Sequence, residues 1–211
     1  MPLILYDCAS APSPRRARIL LAEKGIAHET IQVDLRTGEQ LSEAFRAVNP
    51  LCTVPVLRTE DGELLTDNAA IAAYVEAKYP QHRLQGVTAL EKAEVASWNW
   101  RMEFEGLTAV AEAFRNGNPA MANRALPGPQ DFPQIPALAE RGLLRTQQFF
   151  DMLNTRLAER EFIATDRFSI ADITAVVAVD FARVIKVRVT EAYPHLMRWR
   201  AKMAERPSMS L

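Results

Sequence analysis

The stretch Thr53-Val54-Pro55, with Thr66-Asp67-Asn68 shortly after it, is the part around which the chain is organised. A proline here is typical of a position that opens a backbone edge, because proline has no N–H to give to a neighbouring strand. Asp67 and Asn68 are typical of a helix N-terminus, where short polar side chains accept main-chain N–H groups. Together the two segments predict a pocket for a small, charged, peptide-like ligand.

Strand patterns surround this stretch in the first 80 residues. Residues 3–6 form a short apolar run, and residues 28–35 alternate so that one face carries Ile31, Val33 and Leu35. Both patterns predict strands. Residues 54–57 and 63–65 flank Glu60-Asp61-Gly62, which has the composition of a hairpin turn.

Helix signals alternate with these strands. The first helix is expected to begin with Ser13 as N-cap and Pro14 in the first helical position, and to end at Gly25. A short helix is predicted over residues 42–48, and another over residues 69–79, capped by Asp67. The predicted order is therefore β-α-β-α-β-β-α, a βαβ crossover followed by a hairpin and a helix.

The second part of the chain shows only helical patterns. Residues 81–88 are polar and predict a linker between a domain at 1–80 and an all-helical domain at 89–211. A long helix is expected over residues 89–114, and its apolar positions include Trp98, Trp100, Met102, Leu107, Val110 and Phe114. Core and domain-interface packing is the preferred interpretation of Trp98 and Met102. A long loop over residues 115–135 precedes a second long helix over 135–157.

Two further helices complete the prediction. Ser169-Ile170-Ala171-Asp172 has the spacing of a capping box, and the helix after it, residues 170–185, is apolar nearly all round. It should therefore be the central buried helix of the second domain. A final amphipathic helix is predicted over residues 193–205.

Composition excludes several classes of partner. The 211 residues carry a formal net charge of −1, which argues against nucleic acid or an anionic membrane surface. No apolar run is long enough for a membrane span, and the N-terminal residues lack signal-peptide features. Two cysteines are too few for a disulfide framework, so a cytoplasmic location is expected. The three histidines lie far apart in the sequence, so no metal site is expected.

The whole chain resembles the cytosolic glutathione transferase family, which joins a thioredoxin-like βαβαββα domain to an all-helical domain. Four segments carry the resemblance: Arg16–Gly25, Asn49–Leu57, Thr66–Tyr74 and Phe168–Asp172. Leu90-Glu91-Lys92 and Asn99-Trp100-Arg101 are also similar to a fungal and bacterial branch of that family, which lacks the usual catalytic Tyr, Ser or Cys.

The resemblance implies a glutathione site. It implies a cis Val54–Pro55 bond, which would turn the main chain of Val54 outward to pair with the cysteinyl part of glutathione. Asp67 and Asn68 would hold the γ-glutamyl end, Asp67 by accepting from its ammonium and Asn68 by donating to its carboxylate. Gln40 would lie near the glycine carboxylate, and Thr53 would line the pocket.

The catalytic position departs from the family pattern. The hydroxyl or thiol that would hold the glutathione thiolate is expected at position 11, where this sequence has alanine. Ser13 and Ser10 are the candidate replacements, with Ser13 preferred, and main-chain N–H groups or an ordered water are a third possibility. Cys8 and Cys52 are expected to be buried packing residues.

The resulting hypothesis is a homodimeric glutathione transferase that acts in detoxification, with glutathione as co-substrate and a small hydrophobic electrophile. Two alternatives stay open because one fold supports several functions. The first is a glutathione-dependent thiol–disulfide reductase that works through a cysteine. The second is a non-catalytic interaction module with the same fold.

Overall fold

The computed structural model describes all residues, 1–211, and the chain divides into two compact units. The first unit consists of Met1–His82 with Leu126–Asp131 and Leu211. The second consists of Arg83–Ala125 and Phe132–Ser210. The first unit combines a sheet with helices, whereas the second consists of helices joined by loops.

The first unit is built on a four-stranded sheet. Its strands are β1 (Ile4–Asp7), β2 (Glu29–Gln32), β3 (Val56–Arg58) and β4 (Leu64–Leu65), in the order β2-β1-β3-β4. β1 pairs in parallel with β2 and antiparallel with β3, which pairs antiparallel with β4. A parallel pair needs a crossover, and helix α1 (Pro12–Glu23) supplies it.

Two more helices complete this unit and confirm the predicted order of elements. Helix α2 (Glu43–Val48) begins at Ser42, whose side chain accepts the N–H of Phe45. Helix α3 (Asn68–Lys78) is capped by Asp67, which accepts the N–H of Ala70 at 2.8 Å. A 3-10 turn over Glu39–Leu41 occupies what the sequence predicted as loop.

One local prediction in this unit was wrong. Ser13 is not the N-cap of α1: Ala11 has that position, with extended backbone angles (φ −93°, ψ 139°), and Pro12 is the first helical residue. Proline suits that position because its φ is already helical and no N–H is lost. The strand predicted over residues 28–35 is present but shorter, as β2 (Glu29–Gln32); it lies at the sheet edge, where Ile31 is 42% exposed.

The second unit contains five α-helices: α4 (Ala89–Arg101), α5 (Thr108–Gly117), α6 (Pro136–Arg156), α7 (Ile170–Phe181) and α8 (Pro194–Ala204). A π-helical segment, Met102–Leu107, joins α4 to α5 without a break. Met102 is buried, as predicted, whereas Trp100 is 59% exposed and stacks on the ring of Phe104. Trp100 therefore does not belong to the core.

Helix α7 is the buried centre of the second unit, as the sequence predicted. Every residue from Ala171 to Val179 is buried. The capping box is present, and the Asp172 carboxylate accepts both the N–H of Ser169 at 3.0 Å and its hydroxyl at 3.1 Å. Asp172 also accepts from the Ile163 main chain and from the Trp199 indole N–H, so it joins three segments of the unit.

None of the helices has both the length and the apolar character needed to cross a bilayer.

Candidate functional site

The loop before β3 is held by Asn49, which the sequence reasoning did not single out. Its side-chain amide donates to the Thr53 carbonyl at 2.8 Å and to the Thr53 hydroxyl at 3.1 Å. Its amide oxygen accepts the N–H of Leu51 at 3.0 Å. Asn49 is completely buried, so these contacts fix the chain that leads into Val54. The Thr53 hydroxyl accepts from Asn49, which leaves its own hydrogen free to donate.

The Val54–Pro55 peptide bond is cis, in agreement with the family resemblance. The Val54 side chain is buried in a small apolar cluster with Cys8 and Val56, and Ala11 packs against the same cluster. No main-chain hydrogen bond of the protein uses the N–H or C=O of Val54. These two groups are the unpaired edge next to the start of α1.

The start of α3 offers open main-chain donors. The Asp67 side chain accepts the N–H of Ala70, and the Asp67 carbonyl accepts the N–H of Ile71. The N–H groups of Asn68 and Ala69 have no protein acceptor, as expected for the first residues of a helix. The positive end of the helix dipole lies at the same place.

Asn68 also joins the two helix starts. Its side-chain amide donates to the Ser13 carbonyl at 3.1 Å. One hydrogen of this amide is therefore already used, which reduces the donating capacity that the sequence analysis assigned to Asn68. The contact brings the first turn of α3 next to the first turn of α1.

Some main-chain N–H groups before α1 already donate to side-chain or carbonyl acceptors. The N–H of Ala9 donates to the amide oxygen of Gln32 at 3.0 Å. The N–H of Ala11 donates to the Cys8 carbonyl at 2.9 Å. Neither group is available to a ligand.

The remaining donors at this turn are few. Pro12 and Pro14 have no N–H. The main-chain N–H groups of Ser10 and Ser13 have no protein acceptor. Both serines that the sequence analysis proposed as catalytic residues thus present an open main-chain donor beside their hydroxyl group.

The two serine hydroxyls differ in their surroundings. The Ser13 hydroxyl accepts from Arg16 Nη2 at 3.4 Å, which leaves its own hydrogen free to donate. Ser10 is exposed in the loop, and its Oγ lies 3.5 Å from Cys8 Sγ. Only Ser13 lies within the first turn of α1.

Gln40 lies in the 3-10 turn before α2. Its amide oxygen is buried and has no hydrogen-bond partner in the protein. A buried acceptor in that state costs free energy unless a ligand or water supplies a donor. Gln40 is therefore the one predicted site residue with a buried side-chain atom that lacks a partner.

Both cysteines are buried, as the sequence predicted: Cys8 at the end of β1 and Cys52 in the loop before β3. Cys52 has a φ of +54°, in the left-handed region that favours glycine. The two free thiols form no disulfide.

A cavity of about 540 Å³ lies at the other end of the sheet in the same unit. It is lined by residues before β1, after α1 and after α3, including Lys24, His28, Glu60 and Tyr79. Two of its charged groups are already paired: Lys24 with Glu76, and Glu60 with Lys78, Tyr74 and Tyr79. The hydrogen bond from Lys78 is the main cause that lowers the pKa of Glu60 to about 2. Despite its volume, this cavity is therefore not the candidate site.

No group of three or more His, Cys, Asp or Glu side chains is arranged to hold a metal ion. The chemistry that the site can support consists of hydrogen bonds to a carboxylate, to a peptide backbone and to a negatively charged atom at the start of α1.

Comparison with known proteins gives two family matches. Residues 11–78 match the family described as glutathione S-transferase, N-terminal domain, and residues 124–207 match its C-terminal domain. Glutathione S-transferase 2 of Saccharomyces cerevisiae is 35% identical over 98% of this chain and 88% of that protein.

A solved structure and a second sequence relative are also similar to this chain. A glutathione S-transferase domain-containing protein from Marinobacter aquaeolei is 36% identical, with a TM-score of 0.89 over 98% of this chain and 99% of that chain. A protein of Arabidopsis thaliana named probable elongation factor 1-gamma 2 is 29% identical over 98% of this chain, but the match covers only 48% of that protein.

Proposed function

The chain belongs to the glutathione S-transferase family, and on that premise we propose that it binds glutathione and activates its thiol for attack on a small hydrophobic electrophile. One observation carries the proposal. The unpaired main chain of Val54, the open amides at the start of α3 and the open donors at the start of α1 are neighbours in the first unit. Their chemistry matches the backbone, the acidic end and the thiol of glutathione.

The cysteinyl part of glutathione would lie along Val54. An extended peptide can add to an unpaired main-chain edge and gain hydrogen bonds to both the N–H and the C=O. Val54 offers both groups, and Asn49 holds the preceding turn in place through Thr53. Thr53 thus serves the site through its backbone position.

The γ-glutamyl end would bind at the start of α3. The free N–H groups of Asn68 and Ala69 would donate to its carboxylate, with the helix dipole in support. One oxygen of Asp67 caps the helix at Ala70, and the other would accept from the γ-glutamyl ammonium. At the opposite end, the Gln40 amide would donate to the glycine carboxylate.

The thiolate would be held at the start of α1. An unperturbed thiol has a pKa of about 8.5, so only a few per cent is ionised at neutral pH. Hydrogen bonds to the charged form lower that pKa. We assign this role to Ser13, through its main-chain N–H and its hydroxyl, because it lies in the first turn of α1 where the helix dipole adds to both.

The reaction would then be a nucleophilic attack. The proton of the thiol leaves to solvent when glutathione binds, and the sulfur electron pair forms a bond to the electrophilic carbon while the leaving group or π-electrons take up the displaced pair. An apolar pocket of the helical unit would hold the electrophile. Catalysis would come from positioning and from stabilised negative charge.

The cell compartment and the assembly are part of the same proposal. We expect a cytoplasmic homodimer that acts in detoxification, as for a cytosolic member of this family. Leu90, Trp100 and Phe104 support the dimer, because 49–70% of each apolar side chain is exposed on or just after α4.

The direct test is calorimetric titration of the purified protein with glutathione, followed by turnover of a panel of aryl and alkyl electrophiles. Asp67→Ala should weaken glutathione binding at least about tenfold, since one charged hydrogen bond is worth roughly 1.5–3 kcal/mol. Asp61→Ala is the matched control, because Asp61 lies exposed in the β3–β4 turn, outside the proposed site. Absence of glutathione binding by the wild-type protein would refute the proposal.

The alternatives have distinct outcomes. Ala11 at the N-cap of α1 and the similarity to a protein named probable elongation factor 1-gamma 2 both favour a non-catalytic module. That function would be supported by glutathione binding without turnover of any electrophile. The reductase would require a reactive thiol, and its activity should disappear in the Cys8→Ser, Cys52→Ser double variant; both thiols are buried, which makes this function the weaker alternative.

A further inference from the structure

Gln32 connects the sheet edge to the loop before α1. It lies on β2 directly opposite Asp7 of β1. Its amide nitrogen donates to Asp7 Oδ2 at 2.7 Å, and its amide oxygen accepts the N–H of Ala9 at 3.0 Å. Only one orientation of the amide satisfies both partners, because a carboxylate accepts and an N–H donates. Gln32 thus fixes the position of Ala9 relative to β1.

Arg18 holds the same loop from the other side. Its guanidinium pairs with Asp7 Oδ1, and Asp7 is only 1% exposed. The guanidinium also donates to the Cys8 carbonyl at 3.4 Å and to the Ala9 carbonyl at 3.1 Å. A lysine could not contact these three acceptors at once, because its single ammonium group is compact whereas the guanidinium group of arginine is planar and wide.

These contacts account for the main chain of the loop. The Ala9 N–H and C=O are both taken by side chains, and the Cys8 carbonyl accepts from Ala11 and Arg18. The main-chain N–H groups of Ser10 and Ser13 remain without a protein acceptor. The Asp7–Arg18–Gln32 cluster therefore determines where those donors point.

We propose that Gln32, together with the Asp7–Arg18 pair, is a positioning residue for thiol activation. It orients the loop at residues 8–11 so that the donors at the start of α1 meet the glutathione sulfur. This inference rests on the proposed function and adds one residue of β2, at the sheet edge, to the groups that set the thiol pKa. Gln32 does not touch the sulfur in this scheme and acts only through the loop.

The test compares Gln32→Met with Thr30→Met. Both side chains are exposed, lie on β2 and point to the same face of the strand, because the strand period is two. Gln32→Met removes both hydrogen bonds and leaves the net charge unchanged. A shift in the thiol pKa would therefore report loop geometry and not a change of charge. Circular dichroism and thermal melting check that each variant is folded.

The main measurement is the thiol pKa of bound glutathione, from the ultraviolet absorbance of the thiolate as the complex is titrated. In Gln32→Met this pKa should rise by about one unit, which lowers the thiolate fraction and kcat roughly tenfold well below the pKa. The Kd for glutathione should change less than about twofold, and kcat should recover at high pH. Thr30→Met should match the wild type, and Arg18→Lys should shift the pKa in the same direction as Gln32→Met.

The results that overturn the inference are separable from failure of the proposed function. If wild-type protein binds glutathione with a lowered thiol pKa and folded Gln32→Met retains that pKa, Gln32 does not position the loop for activation. An equal shift in Thr30→Met would also overturn it, because the effect would then belong to the strand as a whole. If the wild-type protein fails to bind glutathione, the proposed function fails first and this inference fails with it.

Discussion

Ala11 occupies the N-cap of α1, where a side-chain donor would be expected in this family. Alanine has no side-chain donor for a thiolate, so the proposed site would depend on groups one or two residues away. The sequence identified Ser13 and Ser10 as the neighbouring hydroxyls, but it assigned the N-cap to Ser13. Pro12 and Pro14 explain the error, because either proline is compatible with the first helical position and local preference does not choose between them.

The first prediction separates the two serines. Ser13→Ala should lower kcat about tenfold and raise the thiol pKa of bound glutathione, because it removes the hydroxyl but keeps the main-chain N–H; loss of a sole donor would cost more. Ser10→Ala should change kcat less than about twofold. Steady-state kinetics at several pH values measure both. A larger loss in Ser10→Ala than in Ser13→Ala would reverse the assignment.

Asp172 is the residue for which pH should matter most to folding. It is completely buried, and burial raises its pKa to about 6 although four protein donors oppose the shift. In the unfolded chain its pKa is near 3.9. Between these values the folded protein holds a proton that the unfolded chain has lost. The contribution of Asp172 to stability is therefore complete below about pH 4 and is lost as pH rises to about 6.

Asp172→Asn tests this pH dependence, because asparagine does not titrate. The stability of the wild type relative to the variant should fall by about 3 kcal/mol from pH 4 to pH 6, at roughly 1.4 kcal/mol per pKa unit, and stay level above that range. Urea denaturation at a series of pH values measures the difference. A difference that grows with pH in this window would mean that the four hydrogen bonds outweigh burial.

At the scale of elements, local signals predicted most of the structure. Asp67 and Ser169 cap their helices as expected, because a cap depends on a few adjacent residues. The π-helical segment at Met102–Leu107 was not predicted. Apolar spacing shows that a helix continues but does not reveal one with a different hydrogen-bond pattern, and the exposure of Trp100 was missed with it.

The close contact of α5 with α6 at Gly142 can be tested by substitution. A Cβ at Gly142 would lie 2.5 Å from the Ala113 nitrogen and 2.8 Å from the Ala109 oxygen, both backbone atoms. Gly142→Ala should therefore destabilise the protein by about 3 kcal/mol, because the two helices would have to separate. A Cβ at Gly106 would meet the Phe149 ring at 2.6 Å, and Gly106→Ala should cost less, about 1–2 kcal/mol, since a ring can tilt.

The matched control is Gly117→Ala at the end of α5, where the nearest atom, Ala139 Cβ, is 3.4 Å away. That change should cost less than about 1 kcal/mol, because the contact is only slightly tight and alanine favours helix. Chemical denaturation ranks the three variants. A Gly142→Ala protein as stable as the Gly117→Ala protein would contradict the close helix contact.

For the whole molecule, the sequence supplied the architecture more completely than the site. The sheet and helix order, the cis peptide bond and the central buried helix agree with prediction, since each is encoded in local pattern or in the family resemblance. The Asp7–Arg18–Gln32 cluster could not be foreseen, because it joins β1, α1 and β2 and appears only once their register is known.

The proposed homodimer can be tested by the mass of the protein in solution. Sedimentation of the purified protein should give twice the 23.6 kDa mass of one chain. A single-chain mass at micromolar concentration would contradict the dimer while leaving glutathione binding untouched.

The central claim is that glutathione lies along Val54 with its sulfur at the start of α1, and a crystal structure of the complex tests it most directly. We expect the cysteinyl C=O to accept the N–H of Val54 and the cysteinyl N–H to donate to the Val54 C=O. The γ-glutamyl carboxylate should accept from the Asn68 and Ala69 amides. The sulfur should lie within about 3.5 Å of a Ser13 donor, since thiolate hydrogen bonds are longer than those to oxygen. Glutathione bound elsewhere, or a sulfur with no contact to the first turn of α1, would contradict the account.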